Sequence, residues 1–138
     1  MTQIKDIKSL RADYNRRKSN GDNDFLSFDD FNNWYNEQKK VCEYCGLKEE
    51  ESQIIVTTKL ESNRFPKNGK PGRGTARGMH LEVDRINPKG KYSRENCTLC
   101  CYFCNNDKSD VFNGAQYKEF FQDRASYLRK LIKDKNGN

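Results

Sequence analysis

Ile4, Ile7, Leu10 and Tyr14 recur at three- and four-residue intervals, while Arg11, Arg16, Arg17 and Lys18 fall mostly elsewhere. That spacing predicts a short amphipathic helix with a basic end. The run Asn20-Gly21-Asp22-Asn23-Asp24 predicts a turn. Ser27 followed by Asp30 then opens a second helix in the manner of a capping box, and Phe28, Phe31, Trp34 and Tyr35 give it a face for the core. Residues 54–58, Ile-Ile-Val-Thr-Thr, are β-branched and predict a strand. Further strands are expected around 80–86 and 96–100, joined by a loop containing Gly90, and a helix is expected to start near Cys104. Tyr117, Phe120, Phe121, Leu128, Leu131 and Ile132 lie on one side of a single C-terminal helix, with Lys133 to Asn138 expected to fray.

One stretch breaks this alternation. From Ser62 to Met79 there is no acidic residue, and Arg64, Lys67, Lys70, Arg73 and Arg77 are interleaved with Gly69, Gly72, Gly74 and Gly78. A compact domain rarely carries so long a loop without using it, and glycine lets backbone and cations follow a phosphate track. The competing reading is a solubilising insertion. The formal charge of +6 and pI near 9.0 favour an anionic partner such as nucleic acid without fixing it.

A chain of 138 residues suits one domain, and with 33% hydrophobic against 33% charged residues its core needs an additional staple. No apolar run approaches the roughly 18 residues that span a bilayer, and no secretory pattern opens the chain, so the expected location is cytoplasmic. In a reducing compartment, paired cysteines bind metal more often than they form disulfides. Cys42 and Cys45, followed by Gly46, form half of a tetrahedral site; Cys101 and Cys104 repeat the two-residue gap. Cys100 would match the first pair less well than Cys101. Four thiolates make a closed structural zinc site, leaving Cys97 and Cys100 replaceable.

Between the two pairs stand Leu81-Glu82-Val83-Asp84-Arg85-Ile86, then Asn96, then Cys104-Asn105-Asn106-Asp107-Lys108. This order resembles the HNH (ββα-metal) endonuclease family over about residues 41–110. It is nearest the PacI-like branch, which has Asp-Arg in place of Asp-His; the Phe31 to Tyr35 segment, the Cys42 to Gly46 knuckle, Tyr92 and Ser93 extend the likeness. The resemblance implies an α+β fold: a ββα-metal core with a four-cysteine zinc site, flanked by N- and C-terminal helices. The corresponding division is a helical extension over 1–40, a nuclease core over 41–112 and a C-terminal helix over 113–138.

It also implies a metal-dependent endonuclease acting on double-stranded DNA, of a restriction, phage-defence or phage-borne kind. A homodimer would suit cleavage of both strands of a palindrome. A carboxylate at a strand end and an amide oxygen at a helix start can hold Mg²⁺ or Mn²⁺, which keeps most of its waters, and Asp84 and Asn105 fit those positions. Asn96 would brace the loop, and Lys108 would lie near phosphate or pack the helix. Arg85 stands where most of the family has its general base; arginine stays protonated, so it is expected to stabilise charge on phosphate. Three readings compete for the vacant role: His80, the only histidine, which would share a strand face with Glu82 and Asp84 if residues 80–84 were extended; Tyr44, suggested by the branch; or neither, with metal-bound hydroxide formed without a side-chain base. The other function class is a catalytically inactive zinc-knuckle module that binds nucleic acid.

Overall fold

A computed structural model describes residues 4–58, 78–108, 113–121 and 124–135. Helix α1 spans Ile7–Ser19; the Asp6 carboxylate caps it by accepting from the Ser9 amide, and Arg16, Arg17 and Lys18 lie at its carbonyl end, where positive charge is favoured. Its buried stripe is narrower than the periodicity predicts. Leu10 and Tyr14 are buried, whereas Ile7 is 55% exposed, and Ile4, which precedes the helix, is 86% exposed.

Helix α2 spans Phe28–Glu37, with the Ser27 hydroxyl accepting from the Asp30 amide. The reciprocal bond of a capping box is displaced by one residue, because the Asp30 carboxylate accepts from the Leu26 amide. The four aromatics of α2 are buried and pack with Tyr14 and Phe25 into one cluster; Phe25 meets Phe31 edge-on at 5.2 Å.

The strand expected over 54–58 is instead the second half of helix α3, Glu49–Thr58. Glu49, Glu50 and Glu51 fill the first turn, where negative charge is favoured, and the Lys48 amide is capped by the Glu51 carboxylate. Glu49, Ser52, Gln53 and Val56 are buried at helical spacing while Ile54 is partly exposed. This tertiary pattern overrides the strand preference of the β-branched run.

Strands β1, Glu82–Arg85, and β2, Cys97–Cys100, form an antiparallel hairpin with Glu82 opposite Cys100, Val83 opposite Leu99, Asp84 opposite Thr98 and Arg85 opposite Cys97. Side chains alternate across a strand, so Glu82, Asp84, Thr98 and Cys100 share one face and Val83, Arg85, Cys97 and Leu99 the other. Helix α4, Tyr102–Lys108, follows β2 and packs on β1.

The expected single C-terminal helix is two, α5 (Gly114–Phe121) and α6 (Arg124–Lys135). Tyr117 is fully buried, and Leu128, Leu131 and Ile132 pack against the core; the side chains of Phe120 and Phe121 lie outside the described part. Residues 133–135, expected to fray, remain helical. Arg129 ties α6 to α3 and the cysteine turn through Glu51 and the Gly46 carbonyl. Arg64, Lys67, Lys70, Arg73 and Arg77 lie outside the described residues. Among those described, no helix is long and apolar enough to cross a membrane.

Candidate active site

The first two cysteines lie in a tight turn that begins when the Cys42 amide donates to the Leu47 carbonyl and the Gly46 amide to the Cys42 carbonyl. Gly46 sits at φ 82°, a left-handed conformation that strains other residues. Cys101 precedes α4 and Cys104 lies in its first turn, with the Cys104 amide directed to the Cys101 sulfur. The sulfurs of Cys42, Cys45, Cys101 and Cys104 all lie within 4.8 Å of one another and are buried. A tetrahedral Zn–S bond of about 2.3 Å sets neighbouring sulfurs roughly 3.8 Å apart. The Cys45–Cys101 separation is 3.9 Å.

Hydrogen bonds from Cys101, Cys104 and Cys45 hold the Cys42 thiol far below its ordinary pKa, while Cys101 is pushed far above by its bonds to the other three and by burial. Cys45 is lowered as well and Cys104 is raised, so the four thiols compete for protons and a cation is what allows all four sulfurs to ionise. The four cysteines are therefore positioned to bind a metal. Cys97 and Cys100 stand apart from this set; burial pushes Cys97 up to about 12, against the opposing influence of a Ser93 backbone bond, Arg17 and Arg85, and Cys100 rises with its own burial.

The metal turn also delivers Tyr44 to the hairpin. Its hydroxyl donates to Asp84 Oδ2 at 2.5 Å, and Lys108 Nζ approaches the same oxygen at 3.0 Å. Asp84 is 5% exposed and Lys108 0%. A buried carboxylate demands such partners, and the two come from separate elements that close on one face of β1. Lys108 also donates to the Arg85 carbonyl at 3.1 Å. The ammonium is enclosed and engaged with Asp84.

Burial, the bond to Asp84 and nearby negative charge raise the Tyr44 hydroxyl far above its ordinary pKa. The Tyr117 ring meets the Tyr44 ring edge-on at 5.3 Å. A Cβ at Gly114, the first residue of α5, would lie 2.8 Å from that hydroxyl. Glycine there lets α5 close over the tyrosine, a requirement with no signal in the sequence.

One turn before Lys108 on α4, Asn105 Nδ2 donates to Glu82 Oε1 at 2.7 Å. Because the amide nitrogen faces Glu82, the amide oxygen is turned away from that carboxylate. Asp84 and Glu82 share one face of β1 and Asn105 is bonded to Glu82; carboxylate and amide oxygens are the donor type a hard divalent cation accepts. Glu82 was not among the expected site residues, although strand alternation already gave it the same face as Asp84.

The remaining expected residues lie elsewhere. His80 precedes β1 rather than extending it, and its Nδ1, buried without a hydrogen-bond partner, is 3.8 Å from Glu49 Oε1 at the start of α3. The extended geometry that would align it with Asp84 is absent. Arg85 projects from the opposite face of the hairpin: its Nη1 donates to the Gly90 carbonyl at 3.2 Å, and its guanidinium carbon is 5.0 Å from the Tyr92 ring centroid. Asn96 donates through Nδ2 to the carbonyls of Asn87 and Lys91, and its Oδ1 accepts from the Asn87 amide, closing the loop between the strands.

No protein-family model matches the chain, and no curated protein matches it. Among solved structures, it is similar to the rare-cutting HNH restriction endonuclease PacI, described for its mechanism of DNA perturbation: TM-score 0.61, 22% identity, with 87% of this chain and 74% of that one covered. The likeness is one of fold. The chain has an HNH-like fold of mixed helix and small sheet.

Proposed function

We propose that this protein is a metal-dependent DNA endonuclease, with structural zinc at Cys42, Cys45, Cys101 and Cys104 and a catalytic Mg²⁺ or Mn²⁺ held by Asp84 and Asn105. The observation that carries the reading is that Asp84 and Glu82 share one face of β1, with Asn105 of α4 bonded to Glu82 and Lys108 of α4 paired with Asp84. The fold likeness to a restriction endonuclease supports DNA as substrate. When bound, the divalent ion would neutralise phosphate charge and acidify water.

Around that ion the chain's own groups set positions. Glu82 orients the Asn105 amide, while Tyr44 and Lys108 fix the Asp84 carboxylate. Tyr44 is proposed as a positioning residue and not as the proton acceptor, since its hydroxyl is already the donor to Asp84 and is covered by α5. Proton abstraction is assigned to His80. Arg64, Lys67, Lys70, Arg73 and Arg77 are assigned to the DNA backbone, so neutralising them together should flatten the salt dependence of binding.

A second reading, an inactive nucleic-acid-binding zinc module, is favoured by one observation: Lys108 already neutralises Asp84. Nicking of supercoiled plasmid separates the two. The nuclease reading expects Mg²⁺- or Mn²⁺-dependent cutting that Asp84→Ala and Asn105→Ala abolish, with His80→Ala about a hundredfold slower, as for loss of a general base. Metal-independent gel shifts without cutting would support the module. Normal cutting by His80→Ala with a dead, zinc-loaded Tyr44→Phe would move the base to the tyrosine.

A further inference from the structure

Lys108, at the end of α4, is 0% exposed, although a lysine is almost never buried completely unless an opposite charge meets it. Its ammonium lies 3.0 Å from Asp84 Oδ2, donates to the Arg85 carbonyl at 3.1 Å and stands 6.0 Å from the centroid of the Tyr44 ring. The carboxylate it meets is the one proposed to hold the catalytic ion, and it too is buried, at 5% exposed. Any cation taken up by that carboxylate is therefore a close neighbour of a charge of the same sign. Near a protein surface the effective dielectric constant is about a quarter of that of water, so such repulsion is correspondingly stronger than in solution.

We infer that Lys108 is the resident counter-ion of the metal site: it neutralises Asp84 in the free protein and holds divalent-ion affinity down until a phosphodiester arrives. The inference rests on the proposed metal-dependent function and adds the order in which its parts assemble. Asp84 and Lys108 together carry no net charge, so a doubly charged ion gains little attraction from the pair. A nucleic-acid phosphate brings the missing negative charge, and Mg²⁺ is usually held by one or two carboxylates together with substrate phosphates. Metal and nucleic acid then strengthen each other's binding by the same factor in both directions. Tyr44 donates to the same Asp84 oxygen without carrying charge, so it fixes the carboxylate but exerts no repulsion. That difference between the two donors separates an electrostatic role for Lys108 from a merely structural one.

The experiment is a Mn²⁺ titration of the full zinc-loaded chain, read by the electron paramagnetic resonance of free Mn²⁺. It is run without DNA and with a short duplex, after subtracting the Mn²⁺ that the duplex binds alone. In the parent the duplex should tighten Mn²⁺ binding about tenfold or more, within the ordinary range of coupling between sites. Lys108→Gln removes the charge and keeps a donor for the Arg85 carbonyl; without DNA it should bind Mn²⁺ about tenfold more tightly than the parent, and the duplex should add less. Lys108→Met should behave in the same way, and Tyr44→Phe should bind Mn²⁺ as the parent does. No gain in Mn²⁺ affinity in either folded Lys108 variant would overturn the inference. Should neither variant fold, the parent still decides against it if the duplex leaves its Mn²⁺ affinity unchanged. Asp84→Asn tells this failure from a wider one. If it loses Mn²⁺ while Lys108→Gln binds no tighter, only the counter-ion role falls; if it binds Mn²⁺ as the parent does with duplex present, the proposed metal site falls as well.

Discussion

The two faces of the hairpin solve opposite problems with the same four-residue strands. On one, Glu82 and Asp84 are closed in by α4, the cysteine turn and α5, so that each carboxylate is met by a specific donor. On the other, Val83 and Leu99 enter the core cluster that includes the α1 and α2 aromatics, while Arg85 rests on Tyr92. The first face depends on polar geometry and would lose function when a single donor is misplaced. The second depends on packed area and tolerates small changes better. The contrast teaches where metal is needed: the four cysteines join the turn carrying Tyr44 to the helix carrying Asn105 and Lys108, the two elements that build the polar face.

The largest effect should come from removing that join. Cys42→Ser or Cys101→Ser should unfold the chain instead of slowing it, because structural zinc contributes on the order of 10 kcal/mol or more in small domains. Loss of near-ultraviolet circular dichroism together with bound zinc is the check; a folded, zinc-free variant would break the comparison. Next, Lys108→Met removes the charge beside buried Asp84 and should cost about 3–5 kcal/mol in denaturant titration. A cost below about 1 kcal/mol would mean the polar face is not held by that pair.

Much of the first face was legible in the sequence, because it follows from spacing. The two Cys-x-x-Cys pairs signal a metal cluster by their spacing, and Asp84 and Asn105 fall on the strand and the helix expected for them. What the sequence hid were interactions set by tertiary closure. Residues 54–58 have the local preference of a strand, yet three glutamates and a buried stripe make them helical. The basic side chain of Lys108 left open whether it would face phosphate or pack, and the two-helix C terminus was masked by apolar positions that suit one helix as well as two.

Smaller effects sharpen the comparison. Cys97→Ala, on the packed face and outside the metal set, should retain zinc and cost about 1 kcal/mol. Zinc loss in this variant would show that the four-sulfur set has been drawn wrongly. Smallest of all, Arg94→Ala breaks exposed bonds from the inter-strand loop to Asp30 and Glu37 of α2, and should leave the melting temperature close to that of the parent. A larger loss in thermal denaturation would mean that the loop, and not the packed core, joins α2 to the hairpin.

The most direct test follows binding and cutting of one labelled duplex in the same cuvette. The account predicts that the zinc-loaded wild type binds and, on addition of Mg²⁺ or Mn²⁺, cuts, whereas Asp84→Asn binds with similar affinity and leaves the duplex intact. Wild-type binding without cleavage in either metal, or cleavage by Asp84→Asn at the wild-type rate, would contradict it.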